Sequence, residues 1–247
     1  MDFLYLTMLG ILSASFTSFF IAMESRAWKN INGRSTCSCG VNIPPLYLIP
    51  VLGSLLSNFT CNTCKTKFTK KMFFSEFMSI LIFISFYLIK NETLELESLL
   101  DYSTILIIIS ASFYGVLIFE DLDNYMISDK YSLGAFFFLL SYFNENISTA
   151  LIIIGLVYIF KMVADNYIAW KRNDPTLEAM GEGDILVFSI IGLLTTHVHT
   201  ISNAFIIIPI IGLIFKFVFY KNSDHIPFVP AIIIGSIITV LSYKFLF

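Results

Sequence analysis

Long uncharged apolar runs, separated by polar segments, dominate the chain. They cover residues 3–23, 72–89 (interrupted by Glu76), 102–119, 131–143, 147–160, 185–196, 201–215 and 226–243. Several are shorter than the roughly 20 residues that a straight helix needs to cross the hydrocarbon core of a membrane. We therefore predict an all-α polytopic membrane protein with about eight transmembrane helices. Residues of the polar flanks would complete the helices whose apolar runs are short.

The runs divide the chain into three parts: a first transmembrane helix over 1–23, a cytoplasmic loop over 24–71, and a transmembrane bundle over 72–247. Asp2 stands where a signal peptide carries basic residues, and the first run is long, so we predict a retained helix. The segment NIPPLYLIPVLGSLL, 42–56, is too short and too rich in proline to span. We expect it to lie against the bundle or the membrane interface.

Composition supports a membrane protein. Hydrophobic residues make up 57% of the chain and charged residues 13%, and the mean hydropathy is +0.80, which excludes an ordinary soluble protein. Nothing in this composition points to nucleic acid as a partner, and membrane lipid is the expected surrounding.

The distribution of lysine and arginine predicts the orientation. Cations concentrate in the loop after the first run and in alternate connections: Arg26, Lys29, Arg34, Lys65, Lys67, Lys70, Lys71, Lys130, Lys161, Lys171, Arg172, Lys216 and Lys221. The other connections carry Lys90 against Glu92, Glu95, Glu97, Asp101 and Glu145. The positive-inside rule makes the first set cytoplasmic and places both termini outside, with Lys244 as a minor exception.

Four cysteines lie in the cytoplasmic loop as two close pairs, Cys37 with Cys39 and Cys61 with Cys64. A reducing compartment disfavours structural disulfides. Two pairs about twenty residues apart are typical of a tetrahedral four-cysteine zinc site, although the first pair is one residue shorter than usual. Free thiols or redox chemistry are the alternatives. A site with four thiolates would be structural, because no open position remains.

Acids from two separate segments reach the cytoplasmic edge of the membrane. The stretch after the third run supplies Glu120, Asp121, Asp123 and Asp129, and the stretch before the sixth supplies Gly181, Glu182, Gly183 and Asp184. Ionisable groups at this depth are costly and indicate function. Two such carboxylates suit aspartic proteolysis, in which one acts as general base toward water and the other as general acid. The glycines allow close backbone approach.

Each acid alone has a plainer interpretation. Asp184 can be a plain N-cap or first-turn acid, and Asp129 can pair with Lys130 or cap the next helix. An ion channel or transporter would also place polar residues in short spans, but it predicts acids at mid-membrane on several helices. His197 and His199 resemble a metal pair, yet they lie on the outer side with no third ligand and are better explained as an interfacial loop.

Over most of its length the chain resembles the type IV prepilin peptidases, the bifunctional leader peptidases and N-methyltransferases of bacterial inner membranes. The stretches that carry the resemblance are the cysteine loop with the glutamate that follows it, DLDNYMISD, and GEGD, which matches the G-x-G-D motif. The resemblance implies that Asp121 and Asp184 form the catalytic pair. Presenilin or preflagellin-type proteases share the G-x-G-D motif, but the cysteine loop favours the prepilin family.

The resemblance further implies cleavage of the basic leader of prepilins or type II secretion pseudopilins on the cytoplasmic side, followed by methylation from S-adenosylmethionine. No residue is assigned to the methyl donor, because the chain has no glycine-rich fingerprint of the dinucleotide-binding type. Four acids are candidates to attract the basic leader, Glu24, Glu76, Glu178 and Glu182. The sequence departs from the family at Ser128, where proline is usual, and after Asp184, where a lysine is common.

Overall fold

The computed structural model describes residues 2–25, 37, 39–61, 63–65, 70–90, 101–174, 178, 180–219 and 227–246. Within these ranges the helices are α1 (Asp2–Ser25), α2 (Leu52–Leu56), α3 (Lys70–Lys90), α4 (Tyr102–Asn124), α5 (Asp129–Tyr142), α6 (Ile147–Arg172), α7 (Glu182–Leu194), α8 (Val198–Phe219) and α9 (Val229–Leu246), with single 3-10 turns at Pro45–Leu48 and Asn144–Asn146. The same ranges contain no strand, so the all-α prediction is confirmed.

Part of the orientation prediction rests on residues outside these ranges, namely Arg26, Lys29, Arg34, Lys67, Glu92, Glu95, Glu97 and Lys221. The predicted polytopic character is confirmed, because five of the described helices are long and apolar enough to cross a membrane. They cover Phe3–Glu24, Lys70–Lys90, Tyr102–Asn124, Asn144–Arg172 and Val198–Phe217. Helices α5, α7 and α9, with 14, 13 and 18 residues, are shorter.

The ends of several helices are closed by polar side chains from elsewhere in the chain. The ammonium group of Lys90 contacts the carbonyl oxygen of Tyr142 at the end of α5. The side-chain amide of Asn146 donates to the carbonyl of Leu193 in α7 at 2.7 Å. Lys244 donates to two carbonyls in the last turn of α3, each at 2.9 Å. The last carbonyls of a helix have no partner inside it, so these contacts satisfy them where the helix stops.

Hydroxyl side chains hold α1, α3 and α4 together inside the bundle. The hydroxyl of Ser13 lies 2.7 Å from that of Ser79, and Thr17 donates to the Ser79 hydroxyl at 3.0 Å and to the carbonyl of Ser112 at 3.2 Å. All four residues are completely buried. Small polar residues let membrane helices approach closely and form hydrogen bonds across the interface. This packing fixes α4, which carries the acidic stretch, against the first two long helices.

We expect Gly115→Ala to destabilise this interface. A β-carbon at Gly115 would lie 2.7 Å from the Thr17 hydroxyl oxygen and 3.0 Å from the β-carbon of Ser79. Overpacking of this kind lowers the free energy of unfolding by about 1–3 kcal/mol. Denaturant unfolding of the detergent-solubilised protein, followed by circular dichroism, measures the loss.

The matched control is Gly155→Ala in α6, where the added β-carbon meets no described atom within 4 Å. It should leave the free energy of unfolding unchanged or raise it by up to about 1 kcal/mol, because alanine favours helix more than glycine does. Equal effects of the two substitutions would contradict the close packing of α1, α3 and α4.

Candidate active site

Asp121 lies in the last turn of α4 and is buried. Its Oδ2 atom accepts the backbone N–H of Val229 at 2.8 Å, and the backbone of Phe228 also donates to this carboxyl group. Val229 is the first residue of α9, and N–H groups at the start of a helix have no partner within it. The acid at the end of α4 is therefore held by the beginning of a helix more than a hundred positions away.

Asp184 lies in the first turn of α7. Its position just before an apolar run predicts that a helix starts here. Its Oδ2 atom accepts the backbone N–H of Gly181 at 3.3 Å, as the returning half of a capping box. The side chain is partly buried. This geometry fits the first-turn acid that the sequence allows, since the N-cap is Gly181, and it also fixes the direction of the carboxylate.

The two carboxylates are close enough to interact electrostatically. The start of α7 packs against the connection that follows Asp121, because a β-carbon at Gly183 would lie 2.7 Å from two side-chain atoms of Ile127. Two acids of like charge in a water-poor setting disfavour double ionisation, so a pair of this kind tends to hold one proton. The structure thus places the start of α7, which carries Asp184, beside the connection that follows Asp121. The two acids that the sequence selected lie on neighbouring segments.

The two glycines of the motif differ. Gly183 needs the absence of a side chain, because Ile127 occupies the space beside it. A β-carbon at Gly181 would meet only an oxygen of Asp184 at 3.6 Å, which is an ordinary contact, and its φ of −66° suits any residue. The close approach at Gly183 is therefore to the protein itself, and an approach to substrate stays a prediction.

The neighbouring acids have other partners. Asp123 forms an ion pair with Lys71 of α3 at 2.9 Å. Asp129 lies in the first turn of α5, where the helix dipole favours an acid. Lys130 forms its ion pair with Glu24 of α1, and the N-cap of α5 is Ser128. Asp129 therefore neither pairs with Lys130 nor caps α5, but occupies the first helical turn. Both ion pairs tie the acidic stretch to other helices.

Glu120 has a structural task that the sequence did not reveal. Its carboxylate accepts the backbone N–H of Ser128 at 2.9 Å and the Ser128 hydroxyl at 2.8 Å. Ser128 directly precedes α5, so Glu120 closes the connection between α4 and α5. A proline at this position has no N–H and could not donate this bond. Ser128, which stands where the family that the chain resembles usually has proline, thus donates two hydrogen bonds to an acid eight positions earlier.

Three of the four acids predicted to attract a basic leader already have partners. Glu24 pairs with Lys130, and Glu178 lies 3.4 Å from the buried ammonium of Lys161. Glu76 is buried and accepts two hydrogen bonds. Glu182 is exposed, and within the described residues no side-chain contact of it is recorded. Of the four acids predicted to attract a basic leader, Glu182 is therefore the remaining candidate.

The four cysteine sulfurs converge, with all ligand atoms within 4.8 Å of one another. The sulfurs of Cys37 and Cys64 are 3.5 Å apart. Four sulfurs placed about 2.3 Å from a tetrahedral zinc ion are separated by roughly 3.8 Å, so the cluster is compatible with zinc. The backbone of Val41 lowers the pKa of the Cys39 thiol, but hydrogen bonds with the neighbouring thiols outweigh this and raise it to about 11.

The shortened first pair reaches the cluster through a tight turn. Gly40, directly after the pair, has a φ of +81°, a left-handed conformation that favours glycine. Its N–H donates to the carbonyl of Cys37 at 2.8 Å, and the N–H of Cys37 donates to the carbonyl of Val41 at 2.9 Å. This turn brings both sulfurs of the pair to one side despite the single-residue spacer.

The histidine pair takes no part in a metal cluster among the described residues, where only the cysteines group in this way. The ring of His197 instead lies 4.7 Å from that of Tyr243, centroid to centroid. This contact supports the structural interpretation of the pair.

Residues 8–89 match a family model described as the bacterial peptidase A24 N-terminal domain. The matched third of the chain contains most of α1, the four cysteines and nearly all of α3, and it ends before Asp121 and Asp184. No curated protein and no solved structure matches the chain.

Proposed function

We propose that this chain is a membrane aspartic endopeptidase of the type IV prepilin peptidase family. The match of residues 8–89 to the bacterial peptidase A24 N-terminal domain supports this proposal. Its substrates would be type IV prepilins and pseudopilins, cleaved behind their basic leader at the cytoplasmic face of the bacterial inner membrane. The observation that carries this proposal is the approach of Asp121 and Asp184 from α4 and α7. The family match favours this function over a presenilin-type protease or a transporter.

In the proposed reaction one carboxylate of the pair is ionised and takes a proton from water. The water oxygen bonds to the scissile carbonyl carbon, while the protonated partner donates a hydrogen bond to the carbonyl oxygen. When the carbon–nitrogen bond breaks, a proton passes to the leaving amine and the pair returns to its singly protonated form. The hydrogen bonds from Val229 and Gly181 would hold Asp121 and Asp184 in place throughout.

The remaining parts of the proposal come from the resemblance and from the cysteines. Methylation of the new N-terminus from S-adenosylmethionine belongs to the proposal, without residues assigned to the methyl donor. Cys37, Cys39, Cys61 and Cys64 would hold a structural zinc ion whose charge balances the thiolates and which ties the loop together.

Co-expression with a type IV prepilin, followed by immunoblotting and N-terminal sequencing of the product, tests the proposal. The wild-type chain should remove the leader, and Asp184→Asn should abolish removal because asparagine cannot transfer the proton. Asp123→Asn is the matched control, since the carboxylate of Asp123 is engaged by Lys71. Glu182→Lys should slow removal about tenfold if the exposed acid attracts the basic leader.

The variants separate the parts of the proposal. Normal processing by Asp184→Asn would reject the catalytic assignment, and loss of processing in Asp123→Asn would show that the wrong member of the acidic stretch was chosen. An unchanged rate for Glu182→Lys would remove only the role of Glu182 in leader attraction.

A further inference from the structure

Five leucines of the cysteine loop are exposed. The exposed fractions are 58% for Leu46, 48% for Leu48, 48% for Leu52, 49% for Leu55 and 55% for Leu56. These large apolar side chains are exposed within a dozen residues of one another, and exposed apolar patches indicate contact with a membrane or a protein. We call residues 45–56 the leucine segment.

The leucine segment is a compact unit and not a loose tail. Its 3-10 turn, Pro45–Leu48, packs against α2. The N–H of Gly53 donates to the carbonyl of Ile49 at 2.7 Å, and a β-carbon at Gly53 would lie 2.1 Å from the carbonyl oxygen of Tyr47. The backbone is therefore folded tightly on itself, which presents the leucine side chains outward.

A buried acid fastens the segment to the transmembrane bundle. The N–H of Val51 donates to Oε2 of Glu76 at 2.7 Å, and the Ser18 hydroxyl donates to Oε1 at 2.5 Å. Val51 has a φ of +64°, a costly conformation for a β-branched residue. In this conformation the N–H of Val51 points at the carboxylate of Glu76, so the hydrogen bond attaches the leucine segment to α3.

This attachment sets the depth of the segment. Glu76 lies six positions into α3 and Ser18 seven positions before the end of α1. At 1.5 Å per residue, the attachment is roughly 9–10.5 Å along the helices from the ends that are predicted to be cytoplasmic. A second contact lies nearer the first residue of α3, where the rings of Phe59 and Phe73 are 5.3 Å apart. The leucine segment thus lies along the side of α1 and α3.

At that depth the neighbouring helix surface is apolar and exposed. Phe19 and Phe77 flank the attachment point in sequence and are 48% and 42% exposed on helices apolar enough to cross a membrane. The exposed leucines belong to the segment that the bond between Val51 and Glu76 attaches beside this surface. The cationic loop that contains them is the part of the chain for which the positive-inside rule predicts a cytoplasmic position, next to anionic headgroups.

We propose that the leucine segment is embedded in the cytoplasmic leaflet, at the boundary between headgroups and acyl chains. The occupant of its apolar surface is membrane lipid. The internal hydrogen bonds of Gly53 and the bond from Val51 to Glu76 satisfy backbone groups at a depth where water is scarce. The buried Glu76 would then act as the anchor that holds the segment at this depth.

Tryptophan fluorescence in reconstituted vesicles tests this proposal. Trp28 and Trp170 are replaced by phenylalanine, and a single tryptophan is introduced as Leu52→Trp or, in a second variant, Leu48→Trp. Phosphatidylcholine brominated at acyl positions near the headgroup should reduce the fluorescence of either variant about twofold or more, while aqueous iodide has little effect. Val41→Trp is the matched control, since Val41 is 42% exposed but lies beside the cysteines.

The control should show the reverse pattern, with quenching by iodide and little quenching by brominated lipid. Quenching of both leucine-position tryptophans by iodide would overturn the proposal, because the segment would then lie in water. Protection of both from iodide and from brominated lipid would also overturn it, in favour of a protein cover such as a second copy. Circular dichroism checks that each variant keeps the helical content of the parent.

Discussion

Replacing Asp121 by asparagine is expected to abolish leader cleavage while the bundle stays folded. Asparagine keeps a side-chain oxygen that can accept the N–H of Val229, which the carboxylate binds at 2.8 Å. It cannot take up and return a proton, so the proposed general acid–base step is lost. General acid–base catalysis contributes about 10²- to 10⁴-fold to a rate, and the cleavage rate of purified enzyme on a prepilin should fall by at least that factor.

Asp121→Ala provides the comparison that separates chemistry from structure. Alanine leaves the N–H of Val229 without its partner in a buried position, which costs about 1–3 kcal/mol of stability. Both variants should therefore be inactive, but only the alanine variant should unfold at clearly lower denaturant concentration. A wild-type cleavage rate for Asp121→Asn would exclude Asp121 from the pair and redirect attention to the rest of the acidic stretch.

The apolar pattern predicted more of the fold than of the contacts at the site. It was sufficient to predict helices at all eight runs, and the position of Asp184 before a run was sufficient to predict a helix start. The attachment of Asp121 to Val229 could not be predicted, because it depends on how α9 packs against α4. Hydrophobic periodicity indicates that a segment is a helix, but many arrangements of the same helices bury similar apolar surface.

The partners of the acids show the same limit. Glu120 was one acid among four in the sequence, and only the turn between α4 and α5 reveals that it closes on Ser128. The ion pair of Glu24 with Lys130 joins residues on different helices, so no local spacing rule could identify it. Glu182 becomes the remaining candidate for a leader contact only after the other three acids are matched with their partners.

The two lysines on the side predicted to be outside, Lys90 and Lys244, gain a physical explanation from the structure. Lys90 and Lys244 oppose the charge bias that predicts the orientation, and both donate to carbonyl groups at the C-terminal ends of helices. A cation is favourable at such an end because the helix dipole is negative there. Their location is therefore explained by the carbonyl groups at the C-terminal ends of α5 and α3. They do not count against the orientation that the charge bias predicts.

Loss of one buried cysteine is expected to empty the proposed zinc site and loosen the cysteine loop. Cys61 is buried and its sulfur belongs to the cluster. The adjacent Thr60 hydroxyl donates to the carbonyl of Ser57 at 3.0 Å and is not one of the sulfur ligands. Cys61→Ser should reduce zinc from about one ion per chain to a small fraction, because serine does not replace a thiolate as a zinc ligand. Thr60→Ser is the matched control and should retain the metal.

The consequence for the loop follows from the coupling of metal binding to folding. Zinc bound by four thiolates contributes about 10–16 kcal/mol in small zinc-binding peptides, so the loop without it should be cleaved faster by added protease. Leader cleavage should decline far less than in Asp121→Asn, because hydroxyl contacts between α1, α3 and α4 hold α4 independently of the cysteines. A wild-type protein that contains no zinc, with a loop equally resistant to protease before and after chelation, would reject the metal site.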